Sequence, residues 1–237
     1  MALVGRIAAS WLLVAIAVAT GFGLAWATHH RSAPTAGSPP IEQFDPERIG
    51  TIEQQAWEAY YLRDWPRLGA LLWDLIGSSY RLSPAQAAQA TMLATQAQRV
   101  WAERGAEGGE AERLMREFYA LVREPAGGRY DPARAAALEI GWWTVHRQRA
   151  GGADAVALED ALAALWAEVY QLPPAAVRPA ARHRARAMAL SDEWVRTGRE
   201  HTSPLLAEVR AELIRCYAAL HTALDARRAA EEASGGP

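Results

Sequence analysis

Six polar side chains lie within or at the edge of apolar faces when the helical segments of this sequence are plotted at about 100° per residue: Glu58, Glu139, His146, Arg184, Ser191 and Asp192. A charge buried without a partner costs several kcal/mol, so such groups must find partners. The simplest arrangement is one network in which Glu58 and Glu139 face Arg184, because a guanidinium can bridge two carboxylates. His146 and Ser191 would complete this network, with Asp192 at its edge.

A cluster of this kind could brace the interior, bind a small ligand or metal ion, or carry out acid–base catalysis. A Glu–His pair can exchange protons with a ligand that lies between its two members. Glu139 and His146 are seven residues apart, and their separation of about 10 Å along a helix is too large for one metal ion. We therefore predict no catalytic residue, no metal site and no cofactor, and describe the cluster as structural or ligand-binding.

The composition excludes several classes of protein. All 25 basic residues are arginine, so the chain has neither a Walker A loop nor a lysine that could form a Schiff base. Its one cysteine, Cys216, excludes an internal disulfide and a cysteine-ligated zinc or iron–sulfur centre. The motifs HExxH, GxSxG and GxGxxG do not occur in the sequence. A formal net charge of −2 predicts no nucleic-acid partner.

The amino-terminal part of the chain predicts a membrane segment. Residues 7–27 are 21 uncharged, mainly apolar residues, and about 20 such residues cross a bilayer. Arg6 precedes this segment, and Ala25 and Ala27 match the small-x-small pattern of a signal cleavage site. The segment is therefore either a transmembrane signal anchor or a cleaved signal. In both cases we expect the remaining chain outside the cytoplasm, anchored to the membrane or, after cleavage, secreted.

The rest of the chain predicts a linker followed by helices. Residues 28–45 are rich in Pro, Gly and Ser, as linkers are. After them, a capping Asp or Ser stands directly before a proline at four helix starts: 45–46, 83–84, 131–132 and 203–204. The predicted helices cover about 47–81, with a kink at Pro66, 84–104, 110–123, 132–149, 154–170, 175–200 and 204–229.

The predicted fold is all-α: one domain over 46–230, built as a bundle of about seven antiparallel helices behind the amino-terminal membrane segment. Residues 231–237 are expected to form a disordered tail. Cys216 lies in the apolar stripe of the last helix, which predicts a buried thiol. Arg178, Arg182 and Arg186 form a basic row that could contact anionic lipid, although Glu193 nearby favours a solvated or salt-bridged face.

Four segments of the chain resemble uncharacterised all-helical proteins of high-GC Gram-positive bacteria. They are 138–147 (LEIGWWTVHR), 58–61 (EAYY), 118–119 (FY) and 187–194 (AMALSDEW). The resemblance would cover most of 50–225, and it implies an all-α fold. It implies no activity and no site residues, because none is known for that group.

Two functions remain open at this stage. The first is a membrane-anchored interaction or accessory protein without enzymatic activity, which the membrane segment and the missing motifs favour. It would contact the membrane through 7–27 and bind an unknown protein partner, and the sequence predicts no oligomeric state. The alternative is a helical bundle that binds a small ligand or metal, with enzymatic activity as a further option, through the Glu, His and Arg cluster.

Overall fold

The computed structural model describes residues 40–149 and 155–234, and within these ranges the protein is all-α, without a strand. Eight α-helices follow one another: α1 (Pro46–Tyr61), α2 (Trp65–Ser79), α3 (Pro84–Arg104), α4 (Glu110–Arg123), α5 (Pro132–Arg149), α6 (Ala155–Tyr170), α7 (Pro174–Arg196) and α8 (Pro204–Ser234). Short 3₁₀ turns at Pro40–Glu42 and Glu107–Gly109 precede α1 and α4. The prediction of an all-helical domain is therefore confirmed.

Capping side chains begin the helices where the sequence predicted them. Asp45 accepts a hydrogen bond from the backbone N–H of Glu47 at 2.9 Å, at the start of α1. Ser83 and Gln86 form a reciprocal capping box at the start of α3, in which each side chain accepts from the other residue's backbone N–H. Each bond satisfies an N–H group that has no partner inside the helix.

The single kinked helix predicted over 47–81 is wrong, because two separate helices occupy this stretch. Arg63 adopts a left-handed conformation (φ 58°) that ends α1. Asp64 then caps α2 by accepting from the backbone N–H of Arg67 at 3.1 Å. Pro66 is the second residue of the new helix, where its missing N–H costs no hydrogen bond.

Three other boundaries differ from the prediction. Helix α7 ends at Arg196 rather than near 200, because Gly198 and Arg199 have positive φ angles of 112° and 61°. Helix α8 continues to Ser234, so the first residues of the predicted tail are helical. At the other end of the domain, residues 40–42 of the predicted linker form a turn that packs on the domain, and Glu42 is buried there.

The eight helices form a closed ring. Each helix packs on the next one along the chain, and α8 packs back on α1. The closure requires a close approach at Gly50, because a Cβ atom placed there would lie 2.7 Å from the backbone nitrogen of Ile214 in α8. This glycine therefore permits two backbones to touch at the joint where the first and last helices meet.

The carboxyl-terminal parts of α1, α3, α5 and α7 meet at one end of the ring, which we call the rim. Arg147 of α5 donates to the backbone oxygen of Trp101 in α3 at 2.6 Å. His146 of α5 lies 3.0 Å from Asp192 of α7. Tyr61 of α1 packs its ring edge-on against Trp194 of α7, at 6.3 Å between centroids. The last turns of these four helices therefore surround one opening.

No helix in the two described ranges combines the length and the apolar character that crossing a bilayer requires. The predicted membrane segment at 7–27 lies outside those ranges, as do residues 28–39 of the predicted linker. Cys216 is fully buried in α8, as predicted. On the basic row of α7, Arg178 pairs with Asp160 at 2.6 Å, which agrees with a salt-bridged face.

Candidate functional site

A cavity of about 540 Å³ occupies the middle of the ring, and all eight helices contribute to its wall. Most of its lining side chains are apolar or aromatic, with a few charged groups among them. Cavities of this size and composition are typical of small-molecule sites. The charged residues Glu53, Glu139 and Arg184 come from the middle turns of their helices, so they lie about halfway along the ring.

The strongest polar contact of the cavity wall joins Arg184 to Glu53. The two form a bidentate ion pair, with one N–O distance of 2.9 Å, and both residues are buried. The hydroxyl of Tyr217 donates to the same Glu53 carboxylate at 2.6 Å. Burial by itself would lower the pKa of Arg184, but the adjacent carboxylate outweighs burial and raises that pKa well above its usual value. The guanidinium therefore stays charged.

Three tryptophans surround the guanidinium of Arg184. Its central carbon lies 5.4 Å from the ring centroid of Trp57, 5.5 Å from that of Trp166 and 5.6 Å from that of Trp142. These distances allow cation–π attraction, which is strongest where water is excluded. The ion pair and the aromatic rings together hold Arg184 in one position on the cavity wall.

Glu139 is held differently, because only neutral groups donate to it. The Tyr119 hydroxyl donates to Oε2 at 2.8 Å, and the indole N–H of Trp143 donates to Oε1 at 3.0 Å. Among the described residues, no Arg or His forms an ion pair with this carboxylate. Burial raises the pKa of Glu139, against the opposing effects of the Tyr119 hydrogen bond and the charge of Arg184. Glu139 is thus a cavity carboxylate without a cationic partner.

The indole N–H of Trp142 is a third neutral donor beside Glu139. Trp142 is only 9% exposed, and its Nε1 makes no hydrogen bond of standard geometry within the described part of the chain. This N–H nevertheless lies close enough to Glu139 to lower the pKa of that carboxyl as a donor, against the larger effect of burial. The neutral donors of Tyr119, Trp142 and Trp143 therefore surround one carboxylate.

At the rim, His146 and Asp192 form the other charged contact of the cavity. His146 Nε2 lies 3.0 Å from one Asp192 carboxylate oxygen and 3.2 Å from the other. The Asp192 side chain is 44% exposed, so this pair is in contact with solvent. Ser191, the residue before it, is buried and lies close enough to the Tyr61 hydroxyl to lower its pKa, against the larger effect of burial.

The structure brings together five of the six predicted site residues around one cavity and separates the sixth. Glu139, His146, Arg184 and Asp192 line it, and Ser191 contacts the lining residue Tyr61. The predicted pairing of Arg184 with Glu58 is wrong. Glu58 is buried elsewhere, where it pairs with Arg67 at 3.1 Å and with His201 at 2.6 Å. Glu58 lies late in α1, where it contacts the loop after α7. Glu53, about one and a half turns earlier in the same helix, pairs with Arg184 instead.

Sequence reasoning missed Glu53, Tyr119 and Tyr217. Glu53 carried a usable signal, because it lies four residues before Trp57 and so shares the inward face of α1. Tyr119 and Tyr217 are aromatic residues on apolar helix faces, and nothing in the sequence marks which phenol donates to a buried carboxylate. The hydroxyls in the cavity stay protonated, since burial, followed by the charge of Glu139, raises the pKa of Tyr80 to about 12.

The described residues hold no cluster of three or more His, Cys, Asp or Glu side chains that could bind a metal ion. No family model, curated protein or solved structure matches this chain. The assignment of a function therefore depends on the chemistry of the cavity itself. That chemistry comprises one ion pair already formed, one carboxylate held by neutral donors and without an ion pair, and a wall of aromatic rings.

Proposed function

We propose that this protein binds a small molecule in the cavity of its helical ring. The observation that carries the proposal is the cavity of about 540 Å³ lined by all eight helices. A chain selected only for stability would fill such a space with side chains, because protein interiors are packed with few voids larger than a water molecule. Here the aromatic residues that could fill it instead form its wall.

The state of Glu139 supports binding rather than internal bracing. A purely structural network would pair each buried charge, as Glu53 and Arg184 pair each other. Glu139 has hydrogen bonds from neutral donors but no ion pair within the described residues. Its carboxylate lines the cavity, so a ligand could supply the missing ionic partner.

The proposal includes attachment to a membrane, which the sequence supports and the described residues do not address. The apolar segment 7–27 would anchor the chain, with the helical domain outside the cytoplasm, or would be cleaved to release it. A role as an accessory protein for a partner has less support on the described surface. Only Met92 and Val156 are strongly exposed large hydrophobic residues there.

Native mass spectrometry of the full-length chain, purified from its own cells, tests the proposal. We expect a small molecule bound in a one-to-one ratio. The variant Ala94→Phe would fill the cavity from α3 and should abolish the added mass. Ala88→Phe places the same ring on the exposed face of the same helix and should leave binding intact.

Circular dichroism of all three proteins would show that the helices remain folded. A bare chain in every preparation would contradict the proposed function. An added mass that persists in Ala94→Phe would place the ligand outside the cavity and would contradict it as well.

A further inference from the structure

The charged groups at the centre of the cavity do not balance. Two carboxylates, Glu53 and Glu139, lie there with one guanidinium, that of Arg184. Arg184 is already engaged with Glu53 through both of its terminal nitrogens. The other charged groups of the lining, Arg147 and the His146–Asp192 pair, lie at the rim. The cavity centre therefore carries one excess negative charge whenever Glu139 is ionised, and a cation placed beside Glu139 would neutralise it.

Aromatic rings stand on both sides of Glu139. On one side Tyr119, which donates to the carboxylate, packs edge-on against Phe118 at 5.4 Å, and Phe118 packs against Tyr80 at 6.2 Å. On the other side Trp143, the second donor, packs against Trp142 at 6.0 Å and Trp101 at 5.5 Å. Tyr119 and Trp143 present the donor edges of their rings to Glu139, and the neighbouring rings line the cavity beside it. A carboxylate beside several aromatic rings is an arrangement that binds organic ammonium groups.

The same tryptophans already bind cations within this protein. The guanidinium carbon of Arg184 lies 5.6 Å from the centroid of Trp142, and that of Arg147 lies 4.6 Å from the centroid of Trp101. Each arginine occupies one face of its ring, and these contacts show that the rings of this wall attract positive charge at cation–π distances.

We propose, building on the ligand-binding function above, that the cavity binds an organic cation, a primary or methylated amine whose ammonium group lies beside Glu139 between the two groups of aromatic rings.

Binding of such a cation is linked to release of a proton. Burial raises the pKa of Glu139, and the groups that face it are the Tyr119 hydroxyl from α4, Tyr80 from the end of α2 and the guanidinium of Arg184 from α7. An ammonium group that displaces the proton from the protonated carboxyl leaves a carboxylate–ammonium pair, and the proton passes to solvent. Affinity should therefore increase as the pH rises through the raised pKa of Glu139.

Three probes of the same shape separate charge from size. Choline is cationic, 3,3-dimethylbutan-1-ol is its neutral counterpart with the same hydroxyl, and 3,3-dimethylbutanoate is an anion of similar bulk. Isothermal titration calorimetry of the full-length chain should show choline binding more tightly than the neutral alcohol by at least about tenfold. Titrations in buffers of different ionisation enthalpy should show proton release.

Glu139→Gln keeps the size of the side chain and should weaken choline binding by about tenfold or more, and should remove the proton release. Glu103→Gln changes an exposed carboxylate of α3 and should alter neither result. Preferential binding of the alcohol or of the anion would overturn the cation assignment while leaving the proposed binding function in place. If none of the three probes binds, the cation assignment is overturned as well. The native mass spectrometry experiment described above would then test the binding function separately.

Discussion

Removing the Glu53 carboxylate would leave the buried guanidinium of Arg184 without its ionic partner. Both residues have less than a tenth of their surface exposed, at 6% for Glu53 and 9% for Arg184. Two hydrogen bonds join them directly, and Tyr217 bonds to the same carboxylate. The substitution Glu53→Ala therefore removes both carboxylate acceptors of Arg184 and leaves the Tyr217 hydroxyl, at 3.4 Å, as its remaining acceptor there.

The expected loss is large. Breaking a buried ion pair by removing one partner costs about 3–5 kcal/mol. A typical domain has about 5–15 kcal/mol of stability in total, so this single change would consume much of it. For a domain of this size the loss corresponds to a fall in Tm of about 6–20 °C.

Urea unfolding of the full-length chain, followed by circular dichroism and tryptophan fluorescence, would measure the effect. Glu103→Gln is the matched surface control and should change the free energy of unfolding by less than about 0.5 kcal/mol. The double variant Glu53→Leu with Arg184→Met removes both charges and should recover most of the lost stability, because a thioether packs well among the surrounding tryptophans. A loss below about 1 kcal/mol in Glu53→Ala would refute the reasoning.

Three further predictions concern other parts of the ring. Gly50→Ala should lower the free energy of unfolding in urea by about 1–3 kcal/mol, because its Cβ would meet the Ile214 backbone. Gly141→Ala should raise it by about 0.5–1 kcal/mol, because nothing lies within 4 Å of that Cβ. Equal effects of the two substitutions would refute the close approach. Burial raises the pKa of Glu139 above its ordinary 4.5, so above that pH the folded chain retains a proton that the unfolded chain loses. The free energy of unfolding should therefore fall as the pH rises from about 4.5. Urea midpoints should show a smaller fall in Glu139→Gln. Iodoacetamide should label the fully buried Cys216 only after unfolding, as mass spectrometry would detect.

The helix starts were predictable because their signals are local. An oxygen that caps a helix and a proline that follows it act within a few residues, and such pairs begin α1, α3 and α5 as expected. The break before α2 has the same chemistry with one residue inserted, since Asp64 is separated from Pro66 by Trp65. The pattern of a capping residue directly before a proline therefore does not detect this break, and the sequence predicts one helix where there are two.

That one missed break also explains the wrong partner for Arg184. When α1 and α2 are treated as one helix, Leu68 and Leu72 of α2 help to define an apolar face that contains Glu58. The corrected inward face passes through Glu53 and Trp57. By contrast, the pairing of His146 with Asp192 depends on how α5 packs relative to α7, and no local pattern in the sequence contains that information.

Because the ring is closed, the packing of its helices does not depend on where along the ring the chain begins and ends. Arg227 of α8 pairs with Glu42 before α1 at 2.6 Å, so the first and last described segments already lie side by side. A circular permutant that joins these segments and opens the exposed turn between α7 and α8 would keep every packed pair of helices. The permutant should retain the cavity, because the wall of eight helices depends on which helices pack together and not on their order in the sequence.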